Sequence, residues 1–508
     1  MNSPRRTTLR ITGDTPRRRG EDRGRQARAG ITRAWQVYEE LFATVAAGNA
    51  RTLDVPALAL RTVRATRAWA PGLVAEMEGV AEGAGMPFWT IAALNARTEI
   101  LAEAGAPRTG ECSTLVRTGP RTTGGQCWDW HQELADAWHL QTVTGDAQGF
   151  AGITEHGILA KIGVNEAGVG VLFNILGHEG DAATGVPVHL VARQVLGTAG
   201  SFAEAVGMLT GAPVSASTVI TVVTADRAAS VELAPAGSAV VAPDDRGWLV
   251  RTNHFLAPAL AAGELRGRRE AETYDRHRLL TERVLTHDGG PGTDTSAVSE
   301  AETYGRDTYG REASGPEASG PEASGPEVSR PSTPDAATPR PDTSAASDAV
   351  TPGPDATDGA RPGPVATDGA RPGPDATDGA RPGPVATDGA RPGPVATDGA
   401  RPGPVATDGA RPGPDAPDGA RPGPVASHGV VPGPSALGPD ALVRLLTAHR
   451  DDGAEVCCHA PAEGRLGGRW ATLATVAVDP AERSLRVHDG GPCSAGPETW
   501  TPLSAPRR

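Results

Sequence analysis

Between residues 288 and 436 the chain contains no Leu, Ile, Phe, Trp, Met or Cys, and its only aromatic residues other than histidine are Tyr304 and Tyr309. Ordering a residue's backbone costs roughly 1–2 kcal/mol of conformational entropy, and without apolar surface to bury nothing offsets that cost. The stretch repeats at two periods. "EASGP" occurs three times between Glu312 and Pro326, and "DGARPGP" occurs seven times from Asp358 to the copy at Asp418. No repeat position is large and apolar, so neighbouring repeats have nothing to stack, and Gly does not fall at every third residue as collagen requires. The expectation is a disordered, extended, partly polyproline-like insertion over 288–436. The remaining residues, 1–287 and 437–508, suffice for one large domain with a substantial core.

Outside the insertion the hydrophobic pattern changes character along the chain. "TTLRITGD" (7–14) alternates like a first strand, and Ile31, Ala34, Trp35, Tyr38, Leu41, Phe42 and Val45 share one helical face. The Arg-rich residues 15–30 read either as a disordered arm or as the polar lead-in to that helix, and the apolar face that follows favours the helix. Further helices are expected from about Pro56 to Val80 and from Pro87 through "FWTIAALNARTEI" (88–100). After Cys112 the pattern becomes strand-like in "STLV" (113–116), 152–176, 217–226 and 229–255, where Val and Ile runs end at Gly, Asn, Asp or Pro. Helices are expected at 186–209, 271–285 and 440–450, and a hairpin over 471–490 turning at Asp479–Arg483. Helices, then strands, then helices, joined mainly by hairpins, indicate an α+β layered fold rather than a βαβ winding.

The formal net charge is −13, and the basic residues are almost all arginine, with Lys161 the only lysine. They are not interleaved with aromatics, so no nucleic-acid partner is expected. No apolar run follows the N-terminal arginines and none reaches 18 residues, so neither a secretory signal nor a membrane span is expected. Five scattered cysteines, Cys112, Cys127, Cys457, Cys458 and Cys493, fit a reducing compartment, read here as the cytoplasm. Cys457–Cys458–His459 looks like a metal motif, but adjacent strand residues point to opposite faces, so no metal site is expected there.

"GECSTLV" (110–116) has the arrangement an N-terminal nucleophile hydrolase needs: a thiol, a small hydroxyl neighbour, then a strand. Such an enzyme cuts the peptide bond before its nucleophile. The freed α-amine, with a pKa of about 7.7–8, then serves as the nucleophile's own base. Taken alone the motif is a weak signal, and a buried structural thiol at a strand start is the simpler reading.

Six further motifs occur in order: "LNARTEI" (94–100), "GQCWDW" (125–130), "GILAKIGVNEAGVGVLFNIL" (157–176), "GVPVHLVARQVL" (185–196), "RTNHF" (251–255) and "GRWATLATVAVD" (468–479). Together they closely resemble the acyl-coenzyme A:6-aminopenicillanic acid acyltransferase family, also called isopenicillin N acyltransferase-like, over about residues 8–287 and 437–502. The resemblance includes an opening Gly-x-x-x-Gly at Gly20 and Gly24, which assigns the N-terminal arginines to the domain. It implies a four-layer αββα N-terminal nucleophile hydrolase fold. It also implies autocleavage of the Glu111–Cys112 bond into 1–111 and 112–508, with the fragments remaining associated. Residues 112–287 would form the first part of the catalytic chain and 437–508 would complete it.

The family's nucleophile falls on Cys112, its motif aspartate on Asp129, its Thr-Asn-His asparagine on Asn253 and its penultimate-strand arginine on Arg469. Asn253 is expected to donate to a tetrahedral oxyanion, and Asp129 and Arg469 to form an ion pair fixing the α-amine. No metal or organic cofactor is implied. The partner is a small-molecule acyl substrate, with acyl-CoA implied by the family name alone and the acceptor open between water and an amine. Three positions depart from the pattern: Glu111 stands where a fungal member has Gly, Cys127 replaces an Asn, and Trp470 follows Arg469 where Gly is found.

Simpler roles stay open beside these. Cys127 reads as a packed thiol, Asp129 as a turn cap and Arg469 as a surface residue. The His, Tyr and Arg residues of "ETYDRHR" (272–278) read as a solvated helix face. His254 reads as a satisfied core histidine, with a papain-like pair to Cys112 as its alternative. Rival overall readings are an inert scaffold of the same fold and a conventional Cys-His hydrolase.

Overall fold

The structure is a computed structural model that describes residues 6–105, 112–265, 272–288 and 438–507. The expected insertion therefore lies outside the described residues, apart from Asp288. So does Glu111, half of the expected cleavage bond. The described chain on both sides of the repeat belongs to one unit.

Thr15 caps the first helix, α1 (Pro16–Gly48), by accepting from the Arg18 amide, and Pro16 occupies the first turn. The Arg-rich segment is thus fully helical. Arg19 and Arg23 are buried, Arg23 bonding Gln141 and Glu76. Between Trp69 and Pro71 the single helix expected over 56–80 breaks into α2 (Val55–Trp69) and α3 (Pro71–Ala84), because Pro71 cannot donate its backbone nitrogen and restricts Ala70 before it. The segment 88–100 likewise divides into α4 (Phe88–Asn95) and α5 (Arg97–Glu103). Helices α1 and α3 approach to backbone contact. A Cβ on Gly20 or Gly24 would overlap the carbonyls of Glu76 and Val80, and one on Gly79 or Gly83 would overlap those of Arg17 and Glu21.

Two sheets form the centre. The first runs β1 (Thr8–Ile11), β4 (Trp138–Val143), β5 (Phe150–Glu155), β6 (Ile162–Asn165), β7 (Gly170–Ile175), β8 (Thr218–Val223), β9 (Ala228–Ala234), β10 (Gly237–Val241). Its only parallel pair is β1 with β4, so residues from before Cys112 complete a sheet built from residues after it. The second runs β11 (Trp248–Arg251), β2 (Ser113–Arg117), β3 (Thr123–His131), β12 (Trp470–Asp479), β13 (Ser484–Asp489), β14 (Trp500–Ser504), all antiparallel. Strands β3, β4 and β14 have no counterpart in the sequence-based expectations. In β3, "TGGQCWDWH", every residue is buried, so the half-polar alternation that marks a strand is missing.

The sheets face each other across a core that Gln126 bridges. Its side-chain amide donates to the Phe173 carbonyl at 2.6 Å, and its oxygen accepts from the Phe173 amide at 2.9 Å. Helices α1 to α5, α6 (Val188–Thr198) and α7 (Phe202–Thr210) lie with the first sheet. After the short α8 (Pro258–Ala261), α9 (Glu272–His287) and α10 (Pro439–Leu445) pack on the second sheet. The result is the expected α+β, αββα layering. None of the described helices is long and apolar enough to cross a membrane.

Candidate active site

Cys112 immediately precedes β2, and the β2–β3 register, with Ser113 opposite Cys127, sets Cys112 across from Trp128. Alternation then divides the two strands. Cys112, Val116, Trp128 and Trp130 enter the main core between the sheets, while Leu115 and Cys127 enter a second core under α9 and α10. The thiol is 3% exposed, and its hydrogen-bond partner is the Asp129 carbonyl at 3.7 Å.

The Cys112 carbonyl is gripped from both faces. Asn174, on β7, donates its amide at 2.9 Å and is itself oriented by Thr114 at 2.8 Å. Arg276, on α9, donates one guanidinium nitrogen to the same carbonyl at 3.2 Å and to Ser113 Oγ at 3.0 Å, and its second nitrogen to Asn253 Oδ1 at 3.1 Å. Asn253 is thereby fixed: its Nδ2 donates to the Ile175 carbonyl at 2.9 Å and its backbone amide to Thr273 Oγ1 at 2.9 Å. One arginine thus links two of the sequence-predicted residues, Cys112 and Asn253. Arg276 is only 1% exposed, which corrects the expectation that the His, Tyr and Arg residues of "ETYDRHR" all lie on a solvated face.

Asp129 is fully buried beside them on the neighbouring strand. The expected ion pair between Asp129 and Arg469 does not form. Arg469 reaches Glu133 at 3.6 Å and the Pro461 carbonyl at 3.2 Å, with its side chain 29% exposed. The cause is register. Asp129 pairs with Thr472, three residues along β12 from Arg469, a displacement of about 10 Å along a strand. Trp470, next to Arg469, instead lies tilted against His131, with ring centroids 4.2 Å apart, and meets Trp130 edge-on, forming an aromatic wall. His254 bonds Thr252 at 3.1 Å and Thr273 at 3.2 Å, and among the described residues no histidine hydrogen-bonds the Cys112 thiol.

On the inner face the only lysine completes the surroundings. Lys161 is buried with its ammonium 4.2 Å from the centre of the Trp128 ring and 3.4 Å from Glu155, which also pairs with Arg97 at 2.9 Å and accepts from Tyr38 at 3.0 Å. Burial lowers Lys161 to about 7 despite the attraction of Glu155. Burial, and next the negative charge of Asp129, push the Cys112 thiol up to about 11, while Lys161 and Arg276 pull the other way. Cys112 is therefore a neutral thiol at pH 7, and ionising it needs an adjacent base.

The sequence model described as "Acyl-coenzyme A:6-aminopenicillanic acid acyl-transferase" matches residues 116–290, a span that holds Asp129, Lys161, Asn174, Asn253 and Arg276 but neither Cys112 nor Arg469. The chain is 31% identical over 189 residues to the acyl-coenzyme A:6-aminopenicillanic-acid-acyltransferase 40 kDa form of Emericella nidulans, covering 37% of this chain and 52% of that one. It thus spans about half the length of that relative. Among solved structures, the Caenorhabditis elegans ortholog of N-acylethanolamine-hydrolyzing acid amidase aligns with 14% identity and a TM-score of 0.29, over 37% of this chain and 85% of that one. Penicillin V acylase from Agrobacterium tumefaciens aligns with 15% identity and a TM-score of 0.23, over 40% of this chain and 74% of that one.

Proposed function

We propose that the chain is a member of the acyl-coenzyme A:6-aminopenicillanic acid acyl-transferase family, to which residues 116–290 are similar, and that it is a self-processing enzyme using Cys112 as an N-terminal nucleophile. In the uncut chain the Cys112 thiol adds to the carbonyl carbon of residue 111. The C–N bond then breaks, the thiol's proton passes to the departing Cys112 nitrogen, and water hydrolyses the resulting thioester. The new α-amine, with an intrinsic pKa of about 7.7–8, then takes the proton from the thiol in each turnover. The thiolate attacks an amide or thioester carbonyl, the α-ammonium protonates the leaving group, and water or an amine removes the acyl group from sulfur.

The observation that carries this reading is the double grip on the Cys112 carbonyl by Asn174 and Arg276, with Asn253 held by the same guanidinium. Those bonds fix the backbone on the C-terminal side of the reacting atoms. Asn253 uses one amide hydrogen on Ile175, and the second is assigned to the developing oxyanion. Asp129, whose carboxylate is felt at the thiol, is assigned to the nascent α-ammonium. Arg469, braced on Glu133, remains only as a rim cation for a charged substrate group.

Fragments 1–111 and 112–508 stay associated in this scheme, since β1 is hydrogen-bonded to β4 and Tyr38 accepts from Trp130 in the core. The substrate class is a small acylated amine, amino acid or acyl thioester, with acyl-CoA as one such donor. Intact-mass measurement with N-terminal sequencing tests the scheme. The expected product is a fragment beginning at Cys112 that is absent from the Cys112→Ala chain. A full-length, uncut chain that still consumes acylated substrates overturns the scheme. An uncut, inactive chain would favour an inert scaffold.

A further inference from the structure

Away from Cys112, four side chains from two stretches of the chain, 449–459 and residue 493, converge on one point. Cys457 Sγ lies 3.5 Å from Cys493 Sγ and 3.5 Å from His459 Nε2, which is 3.5 Å from Cys493 Sγ and 3.2 Å from His449 Nε2. All four donor atoms lie within 4.8 Å of one another. A tetrahedral zinc with Zn–S of about 2.3 Å and Zn–N of about 2.0–2.1 Å has edges of about 3.8 Å (S–S), 3.5 Å (S–N) and 3.3 Å (N–N). The four measured separations match those edges to within about 0.3 Å. We propose that His449, Cys457, His459 and Cys493 form a closed Cys2His2 site for one zinc ion, which ties the chain re-entering after the repeat to the loop following β13.

The protein backbone holds the four donors in place. The amides of Val456 and Cys457 both donate to the Ala448 carbonyl, at 3.1 and 2.8 Å, which sets His449 beside Cys457. Residue 458 is clipped to β12: its amide donates to Thr472 Oγ1 at 2.9 Å and its carbonyl accepts from the Thr472 amide at 2.9 Å. On the other side, a Cβ at Gly491 would collide with Cys457 Sγ, so only glycine lets the loop carrying Cys493 approach so closely.

Alternation along 457–459 excludes the middle residue alone. Cys458 Sγ turns to the Trp470 carbonyl at 3.3 Å, while Cys457 and His459 share a side. The expectation drawn from Cys457–Cys458–His459 weighed three adjacent residues and not the two partners from elsewhere in the chain, His449 and Cys493.

Two thiolates and two imidazoles are the donor set of structural zinc, and four protein ligands leave no position for substrate. Binding releases two protons to solvent as the Cys457 and Cys493 thiols become thiolates. Between α10 and β12 the described chain has only a single 3-10 turn, Arg450–Asp452, so the ion would supply order that secondary structure does not.

The test is metal analysis of the untagged full chain, reconstituted with zinc under reducing conditions and then desalted. About one zinc per chain is expected, falling at least about tenfold in Cys457→Ser and in Cys493→Ser and unchanged in Cys112→Ala. Should those variants fail to fold, X-ray absorption of the wild-type zinc form decides. Two sulfurs at about 2.3 Å with two nitrogens at about 2.0 Å support the site. An all-oxygen shell, zinc well below one per chain, or zinc retained by a folded Cys457→Ser chain overturns it.

Discussion

The two faces of β2 and β3 differ in kind, although consecutive residues supply both. On the inner face Cys112, Thr114, Gln126, Trp128 and Lys161 lie between the sheets, fixed by bonds to β7 such as those of Thr114 and Gln126. On the outer face Ser113 meets the guanidinium of Arg276 and Cys127 packs beneath α9 and α10. Under the proposed function, strand alternation separates the reaction from its support. A thiol needs a dry, shaped pocket on one side. The charge that grips its backbone is best delivered from the other side, where it does not crowd the substrate.

The largest expected effect comes from removing the inner-face nucleophile. Cys112→Ala should abolish the internal cut and lower turnover by about 10⁶-fold, read by intact mass and by acyl-substrate hydrolysis. Next is the outer-face grip. Arg276→Met should lower the turnover rate by about 10²–10³-fold, since it removes one of the two donors to the Cys112 carbonyl and the donor to Asn253 Oδ1 together. Arg276→Lys should not restore the rate, because an ammonium cannot reach both partners in the fork that guanidinium spans. If Arg276→Met turned over normally, the outer face would be mere packing.

A smaller effect belongs to the inner-face cation. Lys161→Met should slow turnover by about tenfold, because the thiolate loses a favourable charge. Its stability signature has a definite sign. The folded chain holds Lys161 at about 7, below the usual lysine value, so between about pH 7 and 10.4 the unfolded chain binds more protons and stability rises with pH. Below pH 7 both states are protonated and the penalty is constant. Urea titrations at pH 7 and pH 9.5 check this in a Cys112→Ala background, which also removes the thiol's opposing contribution. The Cys112→Ala chain should gain more stability across that window than its Lys161→Met derivative, and equal gains would refute a buried, easily deprotonated lysine.

These residues were unequally legible in the sequence. Cys112, Asp129 and Asn253 stood in ordered motifs, and the layer order followed from where helical spacing gave way to Val- and Ile-rich runs. Arg276 was hidden because α9 reads as polar. Its signal was positional: Thr273, Arg276, Leu280 and Val284 are the buried residues of that helix, at helical spacing, so an arginine occupied an apolar stripe. Lys161 carried a similar mark, a lone lysine inside the apolar run "GILAKIGV". Arg469 was misplaced because a motif match fixes position along the chain but not strand register, and register decides whether it can reach Asp129. His449 and Cys493 were beyond reach, since nothing local joins residues 44 positions apart.

The smallest expected effect is at Cys127, which is the sharpest check on the division between faces because it is the outer-face thiol of the same two strands. It is wholly buried among Leu115, Trp248, Leu280, Leu442 and Val456. Burial, then Asp129, raises its thiol well above the ordinary value, so it is a neutral packing group at pH 7. Cys127→Ala should therefore cost about 1–2 kcal/mol of stability through the small cavity it leaves, with turnover unchanged within about twofold. Thermal denaturation and turnover on one preparation check both halves. If the rate fell with the stability intact, Cys127 would act in the reaction, and the faces would not divide chemistry from support.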